Sequence, residues 1–307
     1  MTDIFENYSV KNESTFKIGG IVKKAAFPHT IEEMVNLLNS NEYDIVLGSC
    51  SNILFSSGKI DKNIIFTKHI KDYKFEDPKL TVSCGTKGAL ISKECRERAL
   101  TGFEFLIGFP GSFGGMIYMN ASAHNQSISD CFVSARLFDI KNAKIINFNK
   151  DDMNFSYRKS GLLNGNYILL DAVFELKEGS KAAIEELMQR NIEFRKLRQP
   201  SLSFGNAGSI FKNPVNDSAG RLLDLAGTKE EKSGGAAVFE KHANFIINKN
   251  NATSFDVVNL MYKMYSKVKE KYTIELEPEI KYIGNEGTEE YKIWELMTSK
   301  NIQTTQK

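Results

Sequence analysis

Apolar and polar positions along the first 70 residues alternate in blocks that predict strands around one helix. Thr30 and Glu33 have the spacing of a capping box, so a helix is expected to begin at Ile31. Short apolar runs bounded by Gly, Ser and Asn are typical of buried strands. The predicted elements are the strands Ile21–Phe27, Ile45–Leu47 and Ile64–Phe66 and the helix Ile31–Leu38.

Residues 71–197 carry a second set of blocks, and Val-, Ile- and Phe-rich runs in it predict further strands. Asn142 and Ala143 lie between two of these runs and predict a hairpin turn. The expected strands are Leu80–Cys84, Cys131–Ile140, Lys144–Phe148 and Tyr167–Leu176, and the expected helices are Ala89–Leu100 and Lys181–Leu197.

The remaining residues, 198–307, mix helical and strand periodicities. Their predicted elements are the helices Ala219–Leu225 and Phe255–Lys271, the strands Asn244–Asn248 and Ile274–Ile283, and a small helix near 291–297. The whole pattern predicts an α+β protein of three domains, which are residues 1–70, 71–197 and 198–307.

Charge and composition narrow the class of protein. The 40 basic and 38 acidic residues leave a formal charge of +2, without the clustered basic excess of a nucleic-acid-binding surface. No apolar run approaches the roughly 18–20 residues of a membrane span, and the N-terminus lacks a signal-peptide pattern. We therefore expect a cytoplasmic protein with no nucleic-acid or membrane partner.

The cysteine and histidine spacings predict neither a disulfide framework nor a metal site. Cys50, Cys84, Cys95 and Cys131 form no CxxC pair, and the four histidines are scattered. Reduced thiols and no bound metal are expected.

Two glycine-bearing segments are candidates for phosphate binding. Gly48–Asn52 follows an apolar strand, and Gly108–Gly115 contains four glycines and a proline. Small residues allow backbone N–H groups to converge on an anion, although each segment alone also fits a structural turn. Neither matches a P-loop or a Rossmann fingerprint. Two such segments in neighbouring units favour a phosphate-bearing ligand in a cleft.

Further motifs accompany these segments in a characteristic order. They are Thr15-Phe-Lys-Ile-Gly-Gly, Tyr157-Arg-Lys-Ser, Gly208-Ser-Ile-Phe-Lys-Asn-Pro, His242-Ala-Asn-Phe-Ile-Ile-Asn and Glu277-Pro-Glu-Ile-Lys-Tyr-Ile-Gly. Over nearly its whole length the chain resembles the UDP-N-acetylenolpyruvoylglucosamine reductase family, bacterial flavoenzymes of cell-wall precursor synthesis. About fifty residues separate Arg158 from Ser209, which resembles the short form of the family that lacks an extra tyrosine-bearing loop.

The resemblance implies a fold, a reaction and two cofactors. The fold is an FAD-binding fold of two N-terminal α/β units, of the PCMH/vanillyl-alcohol-oxidase type, followed by a C-terminal α+β substrate-binding domain. The reaction is the NADPH-dependent reduction of UDP-N-acetylglucosamine enolpyruvate to UDP-N-acetylmuramate through FAD. A monomer is expected.

The resemblance also implies three catalytic residues. Arg158 would bind the substrate carboxylate, Ser209 would protonate the carbanion-like intermediate, and Glu279 would stabilise the enolic acid form. Without the family, Arg158 fits a surface salt bridge, Ser209 a turn residue, and Glu279 a solvated acidic strand.

The binding residues implied by the resemblance fall into two sets. The FAD-binding set is Gly48, Ser49, Cys50, Ser51, Asn52, Gly111, Ser112, Gly114, Gly115 and Asn120. The substrate-binding set is Tyr157, Lys212 and Asn213. In contrast, His242 is expected to be structural, and Phe103 and Phe105 to be core residues.

A few positions depart from the family pattern. Ser49 and Cys50 stand where the family often has glycine, and phosphate binding is expected to survive if their φ angles stay negative. Phe239 stands where serine is common.

Two alternative functions remain open at this stage. One is an oxidase of the vanillyl-alcohol type, with flavin tethered through His124 or Cys50, and the other is a non-catalytic flavin- or UDP-sugar-binding protein.

Overall fold

A computed structural model describes residues 1–201 and 203–298. Its strands are β1 Asp3–Ser9, β2 Ile21–Phe27, β3 Ile45–Leu47, β4 Ile53–Phe55, β5 Lys59–Phe66, β6 Tyr73–Glu76, β7 Lys79–Ser83, β8 Leu100–Thr101, β9 Ser122–Ala123, β10 Gln126–Ser127, β11 Phe132–Asp139, β12 Lys144–Asn149, β13 Tyr167–Glu175, β14 Lys177–Glu178, β15 Lys232–Ser233, β16 Ala236–Phe239, β17 His242–Asn248 and β18 Lys281–Ile283.

The α-helices and three short 3₁₀ helices complete the described elements. The α-helices are α1 Ile31–Asn39, α2 Gly88–Glu97, α3 Phe113–Tyr118, α4 Lys181–Arg198, α5 Ala219–Leu225, α6 Ser254–Tyr272 and α7 Glu289–Thr298; the 3₁₀ helices are Thr67–His69, Glu104–Leu106 and Gly161–Asn164. Over the described residues, no helix is long and apolar enough to cross a membrane.

The chain divides into two compact units, each assembled from separate stretches of sequence. Among the described residues, the first unit comprises residues 1–5, 24–49 and 62–195, and the second comprises residues 6–23, 50–61, 196–201 and 203–298. The division into three domains remains a prediction from the sequence.

The first unit is built on a five-stranded antiparallel sheet in the order β12-β11-β13-β7-β6. Three buried rings, Phe103, Phe113 and Phe174, pack edge to face with centroid distances of 5.1–5.7 Å. Aromatic pairs in this arrangement add attraction beyond the area that they bury. Phe103 and Phe105 are core residues, as expected. This core holds the N-terminus of α3, which carries the second glycine segment.

A four-stranded sheet has the order β1-β2-β5-β3, in which β3 runs parallel to β5 with Ile45 opposite Ile64. Helix α1 begins where the sequence predicts, because the Thr30 hydroxyl accepts a hydrogen bond from Glu33 N at 3.1 Å. The Glu33 carboxylate accepts from His29 N at 2.9 Å, one residue before the position that a standard capping box would use.

The second unit packs around α6, whose apolar face is fully buried. Thr253 and Asp256 form a reciprocal capping box at the start of this helix. The sheet β15-β16-β17 belongs to the same unit. A parallel pair joins β4 to β18, with Ile53 opposite Lys281, and brings the C-terminal Glu-Pro-Glu segment to the loop that precedes β4.

The predicted strand Ile274–Ile283 is wrong over most of its length, because only Lys281–Ile283 joins a ladder. Pro278 has no N–H to donate, so a regular ladder cannot run through it. The segment is nevertheless extended: Leu276 and Ile280 are buried between half-buried neighbours, and Pro278 forms an isolated bridge with Phe211. Buried and half-buried residues therefore alternate from Ile274 to Ile280 except at the half-buried pair Ile274 and Glu275, although the predicted strand does not form.

Candidate active site

In the first unit, the two glycine segments meet at Gly48 and Ser112. A Cβ placed on Gly48 would overlap the Oγ of Ser112. Gly114 is less tightly constrained: its N–H donates to the Cys84 carbonyl at 2.7 Å, and a Cβ there would lie 3.1 Å from the same oxygen. At Gly115, by contrast, a Cβ would meet nothing within 4 Å. The backbone at Gly115 is thus open to a ligand, and the neighbouring Gly114 is held by the Cys84 carbonyl.

These residues fit the pyrophosphate of a flavin nucleotide. The Ser112 hydroxyl is 1 % exposed and has no hydrogen-bond partner among the described residues. A buried hydroxyl without a partner costs free energy, and a phosphate oxygen would relieve that cost. Ser112 is also the N-cap residue of α3, where the backbone N–H groups favour an anion. Gly48, Ser112 and Gly115 could therefore hold the group.

Arg158 lies in a tight turn of the first unit that is tied to Asn120. The Asn120 Nδ2 donates to the Ser156 carbonyl at 2.9 Å, while its Oδ1 is buried without a hydrogen-bond partner among the described residues. Arg158 has φ of 56° and donates from Nη1 to Ser122 Oγ at 2.9 Å. Its guanidinium carbon lies 5.1 Å from the centroid of the exposed Tyr157 ring. A left-handed arginine held in this way is the kind of strained residue that clusters at functional sites.

In the second unit, the segment of Ser209 runs beside the segment of Glu279. The Glu279 N–H donates to the Ile210 carbonyl at 2.7 Å, and the Lys212 N–H donates to the Glu277 carbonyl at 2.9 Å. Lys212 and Glu277 also form an ion pair. Two predicted catalytic residues, more than sixty positions apart in sequence, are therefore brought to adjacent backbone segments.

Asn52 holds the Glu279 segment from the other side. Its Nδ2 donates to the Glu279 carbonyl at 3.0 Å, and its own carbonyl accepts from Lys281 N at 2.9 Å. Asn52 was expected to bind the cofactor, and its side-chain amide is engaged in positioning Glu279. Its role toward FAD stays a prediction.

Asn244 fixes the backbone that follows Ser209. Its Oδ1 accepts from Phe211 N at 2.9 Å, and its Nδ2 donates to the Phe211 carbonyl at 2.8 Å. His242 Nδ1 accepts from Asn244 N at 3.2 Å, and burial lowers the pKa of this histidine. These contacts support the structural role expected for His242.

Lys281 lies in the same motif as Glu279, but its own side chain was not predicted to be functional. Burial is the main cause that lowers its pKa, and the nearby Lys212 lowers it further, while Glu277 and Glu279 oppose the change. In the sequence, Lys281 stands out only as a charged residue between the apolar residues Ile280 and Tyr282. Together, Lys212 and Lys281 can offer positive charge to an anionic group.

Asn213 has a structural contact of its own, because its Oδ1 accepts from Ala219 N at 3.0 Å at the start of α5. Its role in substrate binding stays a prediction.

Cys50 corrects one expectation about the first glycine segment. Phosphate binding was expected to survive if the φ angle here stayed negative, but the φ of Cys50 is +48° and the residue is buried. Ser49 does not have a positive φ. The turn requires a left-handed residue, which costs a non-glycine side chain about 1–2 kcal/mol. The turn thus keeps a glycine-like backbone without a glycine.

The first glycine segment is divided between the two units. Gly48 and Ser49 belong to the first unit, and Cys50, Ser51 and Asn52 belong to the second.

Comparisons with known proteins show which families the two parts of the chain match. Residues 22–149 match the model of the FAD binding domain, and residues 199–283 match the C-terminal domain of UDP-N-acetylenolpyruvoylglucosamine reductase. The chain is an FAD-dependent oxidoreductase, and the predicted fold class is confirmed.

Relatives of nearly the same length define the family. The UDP-N-acetylenolpyruvoylglucosamine reductase of Caldicellulosiruptor bescii is 38 % identical over 288 residues, covering 92 % of this chain and 91 % of the relative. That of Enterococcus faecalis is 37 % identical, covering 90 % and 93 %. The crystal structure of the Thermus caldophilus enzyme superposes with a TM-score of 0.78 at 28 % identity, covering 92 % and 98 %. The chain belongs to the UDP-N-acetylenolpyruvoylglucosamine reductase family.

Proposed function

We propose that the chain reduces UDP-N-acetylglucosamine enolpyruvate to UDP-N-acetylmuramate, with NADPH as electron donor. When bound, FAD would accept a hydride from NADPH and, in its reduced form, would pass a hydride to the substrate. The product gains one hydride at the vinyl carbon and one proton at the neighbouring carbon, and NADPH becomes NADP⁺. Membership of the reductase family supports this substrate and this product.

The observation that carries the proposal is the pairing of the Ser209 and Glu279 segments, through the 2.7 Å bond from Glu279 N to the Ile210 carbonyl. Ser209 donates its hydroxyl proton to the strongly basic carbon, which makes a weak acid adequate as a donor. Glu279 stabilises the charge that develops on the substrate. Asn52 acts through Glu279 as a positioning residue.

Arg158 binds the substrate carboxylate. A guanidinium has five N–H groups and can hold a carboxylate with two of them, and the bond to Ser122 Oγ orients it. Tyr157, Lys212 and Asn213 bind the rest of the substrate. We further propose that the protein acts as a cytoplasmic monomer without nucleic-acid or membrane partners.

The test is NADPH consumption by the FAD-loaded protein, with and without the enolpyruvyl substrate. Substrate-dependent consumption with formation of UDP-N-acetylmuramate is expected. Ser209→Ala should slow turnover while flavin reduction by NADPH stays nearly normal. Ser203→Ala, in the same loop, is the matched control and should behave like the wild type. Equal loss of both half-reactions in Ser209→Ala would contradict the role of Ser209, and no product from the wild type would overturn the proposed function.

A further inference from the structure

Three potential metal ligands that are remote in sequence meet in the first unit. Asp3 lies at the start of β1, His29 follows β2, and His69 ends the 3₁₀ helix after β5. The strands β1, β2 and β5 are consecutive in their sheet, which explains why the three positions converge. One ligand atom of each residue lies within 4.8 Å of those of the other two.

The geometry of the two imidazoles leaves a polar atom without a partner. The Nδ1 of His69 is buried and has no hydrogen bond among the described residues. The ring centroids of His29 and His69 are 4.8 Å apart, and His29 Nε2 lies 2.9 Å from Asp3 Oδ2. Buried nitrogen atoms of histidine are normally satisfied, so an unpartnered one in such a cluster indicates a missing ligand.

Some of the surrounding charges would attract a bound cation, and others would repel it. Asp3 attracts a cation, whereas Lys68 and Lys71 repel it, and Lys68 Nζ lies 4.5 Å above the Phe27 ring. Burial, followed by the charges of His29 and the two lysines, lowers the pKa of His69. A neutral imidazole nitrogen can donate a lone pair to a metal ion.

We propose that Asp3, His29 and His69 form a binding site for a divalent transition metal ion, with zinc as the best match. Two imidazoles and one carboxylate are ligands that zinc accepts, and water completes a four-coordinate shell. Magnesium and calcium prefer oxygen ligands alone. A bound ion would join three neighbouring strands of one sheet and stabilise the fold. The proposal is independent of the proposed function.

The experiment is a calorimetric titration of zinc chloride into FAD-loaded protein without a polyhistidine tag. Binding of one ion per chain is expected, with no heat from magnesium chloride. His29→Ala and His69→Ala should each weaken zinc binding at least about tenfold, as expected for an altered metal shell. His124→Ala removes a histidine outside the cluster and should bind zinc like the wild type. Zinc should raise the unfolding temperature of the wild type more than that of His69→Ala.

Asp3→Asn provides a second variant in case a histidine variant does not fold. Asp3 is exposed, so the substitution leaves the core intact, and it too should weaken zinc binding. Absence of zinc binding by the wild type would overturn the proposal. Equal affinity in the wild type and the folded cluster variants would also overturn it, because the ion would then lie elsewhere, for example at a thiol.

Discussion

Replacing Gly115 with alanine should separate protein stability from flavin binding. Gly115 is exposed within α3, has no positive φ, and leaves room for a Cβ. Alanine is more favourable than glycine in a helix by about 0.5–1 kcal/mol, so the FAD-free protein should become more stable by that amount. If the pyrophosphate occupies the open space, the methyl group displaces it. Loss of one charge-assisted hydrogen bond costs about 1.5–3 kcal/mol, which weakens FAD binding about 10- to 150-fold.

Two measurements check this prediction: urea unfolding of the FAD-free protein, and titration of that protein with FAD followed by flavin fluorescence. An unchanged FAD affinity would refute the placement of the pyrophosphate at Gly115. Gly48→Ala is the matched contrast, because its Cβ would overlap Ser112 Oγ and overpacking costs about 1–3 kcal/mol. Adding Ser112→Ala removes that oxygen and should restore the stability of the FAD-free double variant. Failure to restore it would show that the overlap is not the cause.

Three further predictions concern stability and thiol chemistry. Asn244→Ala should lower the free energy of unfolding by at least about 2 kcal/mol, because two buried backbone groups of Phe211 lose their partners; a change within about 0.5 kcal/mol in urea unfolding would contradict this. Thr253→Ala should cost about 1 kcal/mol in the same assay through loss of the capping box of α6, and an unchanged midpoint would count against it. Burial raises the pKa of Cys84 and Cys95 to about 12 and that of Cys131 to about 11. At pH 8 these thiols should react with a disulfide reagent slowly in the native protein and rapidly in urea, and a rapid native reaction would refute the burial argument.

Local signals in the sequence located many of the elements. The predicted helix Ala219–Leu225 has the bounds of α5, and α1 begins at Ile31 because Thr30 caps it. The order of the motifs indicated the FAD-binding fold and the reductase family. These features depend on short-range chemistry or on patterns shared by relatives. Both kinds of signal can be recognised in the sequence of a single chain.

Features that depend on long-range pairing could not be predicted. The extended segment at Pro278 follows the alternation of a strand, yet proline interrupts its ladder and only β18 finds a partner. The left-handed φ of Cys50 is imposed by the turn and contradicts the preference of the residue. The convergence of His29 and His69 follows from strand order alone, because their spacing of forty residues resembles no metal motif.

The bond between Asn52 and the Glu279 carbonyl has a consequence for the synthesis of the protein. Its two residues are 227 positions apart. At about 5–20 residues per second, a ribosome needs about 11–45 s to translate that interval. During this time the loop before β4 exists without the segment that pairs with it. The surroundings of Glu279 can therefore form only after this interval has been translated, and a nascent chain that stops before this residue lacks the proposed catalytic glutamate.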